Sequence, residues 1–252
     1  MIAPEYPNIL QAFSGPTVHA GSCPPHLEDA LLRLRTEYVM RAIWLGSFIT
    51  DTIYLTVGTL TSRFVGSPLQ RAIARRRYGA LAPHYDVDVI PQSGYFAPLL
   101  AALDRLPGEP TTALDVSTGT GAVIGTVVGR FPGCRGVAVD LSPAMLARAN
   151  RNAREGRWPV RFAAANAARL PFRAGTFDLV SVQNAFPVPR ELVRVLKPGG
   201  WLVLSYSAGG PVLPWVVRSL SNQLHALGCG SVNTEQVGGG RYFLAQRAKE
   251  AA

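Results

Sequence analysis

Glycines and carboxylates follow two short apolar runs at a spacing suited to a nucleotide-like ligand. Residues 114–116 (LDV) lead into residues 117–121 (STGTG). Glycine lets a backbone turn and approach a ligand without a Cβ clash, and the helix start that follows presents free N–H groups. Asp140 closes a second apolar run, residues 136–140 (GVAVD), 19 residues beyond Gly121. An acid at the end of a second strand can accept hydrogen bonds from both hydroxyls of a ribose.

Each of these features also has a simpler structural explanation. An ordinary strand-to-helix turn can contain Gly-x-Gly, and Asp140 could cap the helix that begins near Ser142. Because Ser142-Pro143 can itself cap and start that helix, we favour the ribose role for Asp140. The dinucleotide fingerprint requires Gly or Ala three residues after its second glycine, where this chain has Ile124, and no Gly-Lys-Ser/Thr of a P-loop follows. The spacing therefore predicts a ligand without a pyrophosphate.

The elements that must position these residues alternate in type along the chain. Apolar runs with strand character lie at 112–116, 136–140, 159–163, 177–183, 200–206, 229–235 and 241–247. Helical patterns lie at 121–130, 142–153, 188–196 and 212–227. Strands that alternate with helices are typical of βαβ units and predict an α/β fold with a parallel sheet.

The segment before this alternation has a different character. Residues 1–27 have no periodicity and predict a loose arm. Helical patterns follow at 28–37, 68–78 and 92–106. Residues 42–62 are apolar and threonine-rich, with Asp51 as their single charge. We therefore divide the chain into an N-terminal arm with a helical lid or membrane-contact segment at 1–80, and a ligand-binding domain at 81–252.

Three further sequence blocks follow the first two in a fixed order. They are 165–172 (ANAARLPF), 177–182 (FDLVSV) and 191–200 (ELVRVLKPGG). The five blocks together resemble those of class I S-adenosylmethionine-dependent methyltransferases, most closely the ubiquinone/menaquinone C-methyltransferase group, over residues 80–206. The resemblance implies a Rossmann-like, doubly wound, mostly parallel seven-stranded sheet with a C-terminal antiparallel strand and an N-terminal helical lid. It also implies S-adenosyl-L-methionine as the cofactor of the 81–252 domain.

The same resemblance implies a set of cofactor-binding residues. Asp115 would hold the amino group of the cofactor, Asp140 its ribose hydroxyls, and Leu141 one face of its adenine. Asn166 would meet the adenine edge, and Gln183 would face the site of methyl transfer. The full set is Asp115, Ser117, Gly119, Thr120, Gly121, Asp140, Leu141, Asn166, Ala167 and Gln183.

Methyl transfer from a sulfonium requires chiefly alignment of the acceptor and exclusion of water. A base is needed only if the acceptor must lose a proton, and the candidate catalytic residues are His84, Tyr85 and Gln183. His84 could equally be a surface or capping residue, and Tyr85 a packing residue. The function implied is methyl transfer to a small, largely apolar metabolite such as a quinone, a polyketide or a lipid-like molecule. Aromatic residues before the first predicted strand would line the pocket or simply pack in a core: Trp44, Phe48, Tyr54, Tyr95 and Phe96.

Two departures from the family pattern support an alternative function. Asn166 stands where the family usually has Asp, and Ser117 where it often has Gly. The alternative is a protein that binds the cofactor without methylating, as a cyclase-like catalyst or a partner subunit. A net charge of +9 also fits a nucleic-acid methyltransferase, but no nucleic-acid module accompanies the charge.

The remaining composition bears on metals, partners and compartment. Three widely spaced cysteines fit neither a disulfide framework nor a zinc site, so we expect a cytoplasmic protein without a metal. Residues 42–62 are long enough to span a bilayer, but the cost of Asp51 nearly cancels the gain from their apolar side chains. Arginines follow at 71 and 75–77. The segment therefore predicts a packed lid, a peripheral membrane contact through residues 42–77, or, least favoured, a true span. The oligomeric state is not predicted.

Overall fold

The strands of the computed structural model, which describes residues 67–90, 94–207 and 214–249, form one seven-stranded sheet. The strands are β1 (Thr112–Val116), β2 (Arg135–Asp140), β3 (Val160–Ala164), β4 (Phe177–Gln183), β5 (Leu196–Tyr206), β6 (Cys229–Val237) and β7 (Gly240–Arg247). The expectations for residues 28–37 and 42–62, and for Trp44, Phe48 and Tyr54, lie outside the described residues.

Seven helices flank these strands in the described parts of the chain. They are α1 (Pro68–Leu81), α2 (Tyr85–Asp88), α3 (Ala97–Leu103), α4 (Ala122–Arg130), α5 (Pro143–Glu155), α6 (Pro189–Val195) and α7 (Pro214–Ala226). Three of the longer helices begin where the sequence provides a start signal. Ser67 and Ser142 cap α1 and α5 with their side chains, each followed by a proline, and Gly121 precedes α4 in a left-handed conformation.

The sheet has the strand order β3-β2-β1-β4-β5-β7-β6. The first five strands are parallel, whereas β7 lies antiparallel between β5 and β6. This order confirms the predicted Rossmann-like fold with its C-terminal antiparallel strand. The order reverses between β1 and β4, and in such sheets ligands bind in the crevice outside the carboxyl ends of the strands at that point.

Two apolar layers cover the two faces of the sheet. Neighbouring residues of β1 point to opposite layers, with Leu114 in a cluster that includes Leu192 and Ala113 in one that includes Ile124. Because side chains alternate along a strand, β1 is buried on both faces. The polar side chain of Asp115, which is 0% exposed, is therefore shielded from bulk solvent.

Two predicted elements start four or more residues away from the positions that the structure gives them. Strand β5 begins at Leu196 and not at residue 200, because the stretch 196–200 (LKPGG) starts the pairing with β4 through Leu196 and Phe177, across an irregularity in register. The helix expected at 92–106 spans only Ala97–Leu103. Gly94 has a φ of +83°, which a helix does not allow, and Pro98 is suited to a first helical turn.

Candidate functional site

The turn between β1 and α4 has a strained, tightly packed backbone. Ser117, Gly119 and Gly121 have φ values of +61°, +57° and +85°, in the left-handed region that favours glycine. A Cβ on Gly121 would lie 3.3 Å from the Cβ of Ala149 and 3.4 Å from the ring of Phe162. The sequence therefore needs a glycine at position 121, while Ser117 occupies a conformation better suited to the glycine that it replaces in the family pattern.

Asp115, on β1 and four residues before Gly119, is completely buried. Its Oδ1 accepts a hydrogen bond of 2.8 Å from Ser181 Oγ on β4, and its Oδ2 has no partner among the described residues. Burial raises the pKa of Asp115 to about 7, and the negative charge of Asp140 acts in the same direction, against the nearby hydroxyls of Thr118 and Ser181. An unpartnered carboxylate oxygen in a buried position is suited to a cationic group of a ligand.

Asp140, at the end of β2, already receives two backbone hydrogen bonds. Its Oδ2 accepts from Gly119 N at 2.9 Å and its Oδ1 from Ser142 N at 2.8 Å. Ser142 Oγ accepts from Met145 N, so Ser142 caps α5 as expected. Burial raises the pKa of Asp140, and the backbone hydrogen bonds partly oppose this. Because a carboxylate has about four lone-pair sites, Asp140 retains acceptors for ribose hydroxyls.

Gln183 ends β4, with both ends of its side-chain amide already engaged. Its Nε2 donates to the carbonyl of Tyr95 at 3.0 Å, and its Oε1 accepts from Ser205 Oγ at 3.0 Å. The next residue, Asn184, has a φ of +51°. The side chain of Gln183 therefore holds the 94–96 turn against the sheet, and its expected place at the site of methyl transfer stays a prediction.

Two tyrosines meet above this edge of the sheet. Burial raises the pKa of Tyr95, while hydrogen bonds with Tyr85, Asn184 and Gln183 oppose the increase. Burial, followed by the proximity of Tyr95, holds the pKa of Tyr85 well above its usual value. Both hydroxyls therefore remain protonated at neutral pH. Tyr85 is therefore a hydrogen-bond donor, and the catalytic role expected for it stays a prediction.

A buried polar cluster joins α2 to the glycine turn. Asp86 is only 1% exposed, and its Oδ2 accepts from Arg148 Nε at 2.6 Å and from Asn152 Nδ2 at 3.1 Å. The same Asn152 nitrogen donates to the carbonyl of Thr120 at 3.0 Å. Sequence reasoning missed Asn152, although it left a signal. Asn152 is the polar member of the buried face of α5, seven residues after Met145 and three after Ala149.

The other predicted residues lie around the same edge. His84 is exposed and precedes α2, without a side-chain capping bond. Leu141 accepts a hydrogen bond at its carbonyl from Arg75 Nε on α1, at 3.0 Å. Asn166 and Ala167 follow β3 and are partly buried, and Asn166 Oδ1 already accepts from Ala168 N. The structure thus brings the residues after β1, β2, β3 and β4 to the carboxyl edge of the sheet.

A cleft of about 430 Å³ lies elsewhere, at the amino-terminal edge of β4 and β5. Its lining includes Asp178, which accepts hydrogen bonds from Lys197 Nζ and from the backbone and hydroxyls of Thr111 and Thr112. The cleft contains no residue of the predicted site. Among the residues that the structure describes, no group of three His, Cys, Asp or Glu side chains is arranged to hold a metal ion.

Sequence comparisons give methyltransferases as relatives of this chain. Residues 113–200 match the family described as "Methyltransferase domain". Demethylmenaquinone methyltransferase of Thermus thermophilus is 41% identical over 106 residues, which cover 39% of this chain and 48% of that protein. Malonyl-[acyl-carrier protein] O-methyltransferase of Halorhodospira halophila is 33% identical over 150 residues, which cover 57% of this chain and 50% of that protein. The chain thus spans about half the length of these curated relatives.

A solved structure has the same fold. The S-adenosylmethionine-dependent methyltransferase of Aquifex aeolicus superposes with a TM-score of 0.52 at 20% identity, over 69% of this chain and 98% of that one. At this level of identity the similarity shows the fold alone.

Proposed function

We propose that this chain, which carries a class I S-adenosylmethionine-dependent methyltransferase domain, methylates a small, largely apolar metabolite. The cofactor of the domain is S-adenosylmethionine, whose sulfonium supplies an activated methyl group. The observation that carries the proposal is the pair of carboxylates on either side of the glycine turn, the completely buried Asp115 and the partly buried Asp140. One offers an unpartnered oxygen to a cationic amino group, and the other has acceptors left for ribose hydroxyls.

The other cofactor contacts that we propose follow the geometry of the carboxyl edge. Gly119, Thr120 and Gly121 approach the methionine part and the ribose, with Ser117 at the start of the turn. Leu141 covers one face of the adenine. A second set of residues after β3, Asn166 and Ala167, meets the adenine edge. The side-chain amide nitrogen of Asn166 remains available for this contact, because its oxygen is occupied by Ala168 N.

The role that we propose for the residues around the acceptor is alignment and exclusion of water. The hydroxyls of Tyr85 and Tyr95 bond to each other and both stay protonated at neutral pH, so the pair keeps one O–H to donate to an oxygen of the acceptor. Gln183 fixes Tyr95 through its backbone carbonyl. If the acceptor must lose a proton, His84 is the candidate base nearest in sequence, since it precedes Tyr85 and is exposed.

The acceptor class that we propose rests on an apolar cluster beside the two tyrosines. Ile90, Tyr95 and Ala122 form its buried part, and Tyr85 and Phe96 pack against them. Tyr95 and Phe96 meet edge to face, with ring centroids 5.0 Å apart. Such a lining suits an apolar or aromatic acceptor. The names of the relatives include a quinone methyltransferase and a malonyl-[acyl-carrier protein] methyltransferase, and we favour the quinone-like, polyketide-like or lipid-like class over a carrier protein.

We propose that residues 1–80 form the lid or the membrane contact and that residues 81–252 carry out methyl transfer. No helix among the described residues is long and apolar enough to cross a membrane. The partners we propose are a small-molecule acceptor and, through residues 42–77, a membrane surface.

Asp140→Ala tests the cofactor site. At a concentration of S-adenosylhomocysteine one hundred times its Kd, binding stabilises the folded chain by about 2.7 kcal/mol. Loss of two charge-assisted hydrogen bonds weakens binding about a hundredfold, which leaves about 0.4 kcal/mol and almost no rise in Tm. Asp104→Ala, which removes an exposed carboxylate, is the matched control. If S-adenosylhomocysteine raises the Tm of the Asp140→Ala variant as much as that of the wild type, Asp140 serves only as a structural cap.

Two further measurements separate the proposal from its alternatives. Transfer of label from S-adenosylmethionine to a panel of quinols and phenols supports methylation, whereas binding without transfer favours the non-methylating alternative. Because Ile124 breaks the dinucleotide fingerprint, we expect no binding of NAD or NADP at micromolar concentration. Saturable binding of either would contradict the cofactor assignment.

A further inference from the structure

The outward face of α1 carries apolar and arginine side chains next to one another. At about 100° per residue, Leu69, Ile73, Arg76 and Arg77 fall within an arc of about 100° around the helix. All four are exposed, Leu69 to 63% and Ile73 to 50%. The opposite side contains Arg75, whose Nε donates to the carbonyl of Leu141. Helix α1 therefore has one side held to the loop after β2 and another that faces outward.

This face is part of an unusual concentration of exposed apolar side chains. Of the six large hydrophobic residues that are exposed in the described parts of the chain, only Trp215 lies outside residues 67–90. The other five are Leu69, Ile73, Tyr78, Leu81 and Val87. Helix α1 also has no buried residue of its own. Single exposed apolar residues are common on protein surfaces, but a group of them confined to one short segment indicates an interaction site.

The charges on this face limit what can cover it. Arg76 and Arg77 form no ion pair with any residue that the structure describes. A protein segment laid over Leu69 and Ile73 would also desolvate these guanidinium groups and would need acids to pair with them. The apolar run at 42–62 has only one charge, Asp51, so it cannot supply two partners.

We infer that the outward face of α1 docks on an anionic lipid bilayer. Lipid phosphates can pair with Arg76 and Arg77, while Leu69 and Ile73 enter the boundary between headgroups and acyl chains, as in interfacial helices. The net charge of +9 on the chain favours the same partner. This inference deepens the membrane contact proposed above for residues 42–77, and because it rests on the helix face and not on methyl transfer, the two activities can fail separately.

Sedimentation of the full-length chain with vesicles tests the inference. The chain binds vesicles that contain equal amounts of phosphatidylcholine and phosphatidylglycerol, binds phosphatidylcholine alone much more weakly, and loses binding as salt increases. Arg76→Gln/Arg77→Gln weakens partitioning about 30-fold, from about fivefold per arginine. Leu69→Ser/Ile73→Ser weakens it by at least tenfold.

Matched variants remove equivalent groups from other parts of the surface. Arg173→Gln/Arg190→Gln removes two exposed arginines, and Trp215→Ser removes the one exposed large apolar residue outside the segment. Both keep wild-type vesicle binding. The rise in Tm with S-adenosylhomocysteine, measured for each variant, checks that the domain remains folded. The inference is overturned if the wild type fails to sediment with anionic vesicles, or if the α1 variants bind as well as the matched ones. A lower Tm of Leu69→Ser/Ile73→Ser without vesicle binding by the wild type would mean that the chain itself covers this face.

Discussion

The buried carboxyl of Asp115 predicts that the stability of this chain falls as the pH rises. Its pKa is about 7, against an ordinary value of 3.8. Between these two values the folded chain keeps a proton that the unfolded chain has released, so the free energy of unfolding decreases with increasing pH. Each pH unit costs about 1.4 kcal/mol, and over about three units the loss approaches about 4 kcal/mol.

Asp115→Asn removes this pH dependence, because the amide side chain does not ionise in this pH range. The Asn side chain can keep the contact with Ser181, since that hydroxyl both donates and accepts. We expect the Tm of the variant, relative to wild type, to rise by about 10 °C between about pH 4 and pH 8, at about 2–4 °C per kcal/mol for a domain of this size. Calorimetry across this range measures the difference. Asp104→Asn, at an exposed carboxylate, should show no comparable trend.

The cofactor provides a second test of the same carboxyl. A cationic amino group beside Asp115 favours the ionised carboxylate, so S-adenosylhomocysteine should raise the Tm of the wild type more at pH 8 than at pH 5. Asp115→Asn should flatten that dependence. If the Tm difference between wild type and Asp115→Asn is constant with pH, the carboxyl is not protonated as the structure implies. If only the ligand effect is constant, Asp115 does not face the amino group.

Substitutions at three further positions test other parts of the site and the sheet. Burial would raise the pKa of Asp178, but hydrogen bonds, first from Lys197, hold this pKa well below its usual range. The ionised carboxylate therefore stabilises the fold at neutral pH, and this stabilisation is lost as the pH falls. Asp178→Ala should accordingly lower the Tm at neutral pH and lower it progressively less in acid. Ser117→Gly should preserve the Tm, whereas Ser117→Val should cost about 1–2 kcal/mol in thermal unfolding, since its φ of +61° disfavours a branched side chain. Tyr85→Phe should retain the rise in Tm with S-adenosylhomocysteine but lower kcat/KM for the acceptor about tenfold, through loss of one hydrogen bond. An equal loss in cofactor binding would show that Tyr85 does not act on the acceptor alone.

Local sequence patterns predicted the sheet and the glycine turn because each depends on neighbouring residues. The strand at 112–116 and the strand at 177–183 have the predicted bounds, since apolar runs between turn residues define them. Ser142 caps α5 as its position before Pro143 indicates. A motif that joins a strand, a turn and a helix depends on a few consecutive residues. It can therefore be predicted without any knowledge of the tertiary fold.

Contacts between distant segments could not be predicted in this way. Asp86 meets Asn152 across 66 residues of chain, and Gln183 meets the carbonyl of Tyr95 across 88. The sequence indicated that Gln183 lies at the end of a strand, but not that both ends of its amide would be occupied. The raised pKa of Tyr85 likewise depends on burial and on Tyr95, neither of which a linear pattern contains.

The polar contacts of residues 67–90 connect the cofactor loops to the surface of the molecule. Arg75 holds the loop carbonyl of Leu141, and Asn152 joins Asp86 to the carbonyl of Thr120. Asp86 is buried and paired with Arg148. Separating the two would leave the guanidinium group of Arg148 without its carboxylate partner, which is costly for a partly buried charge. This buried polar cluster therefore couples the segment to the glycine turn. The outward face of α1, which we infer to meet a bilayer, belongs to the same segment that contacts the loop after β2 through Arg75.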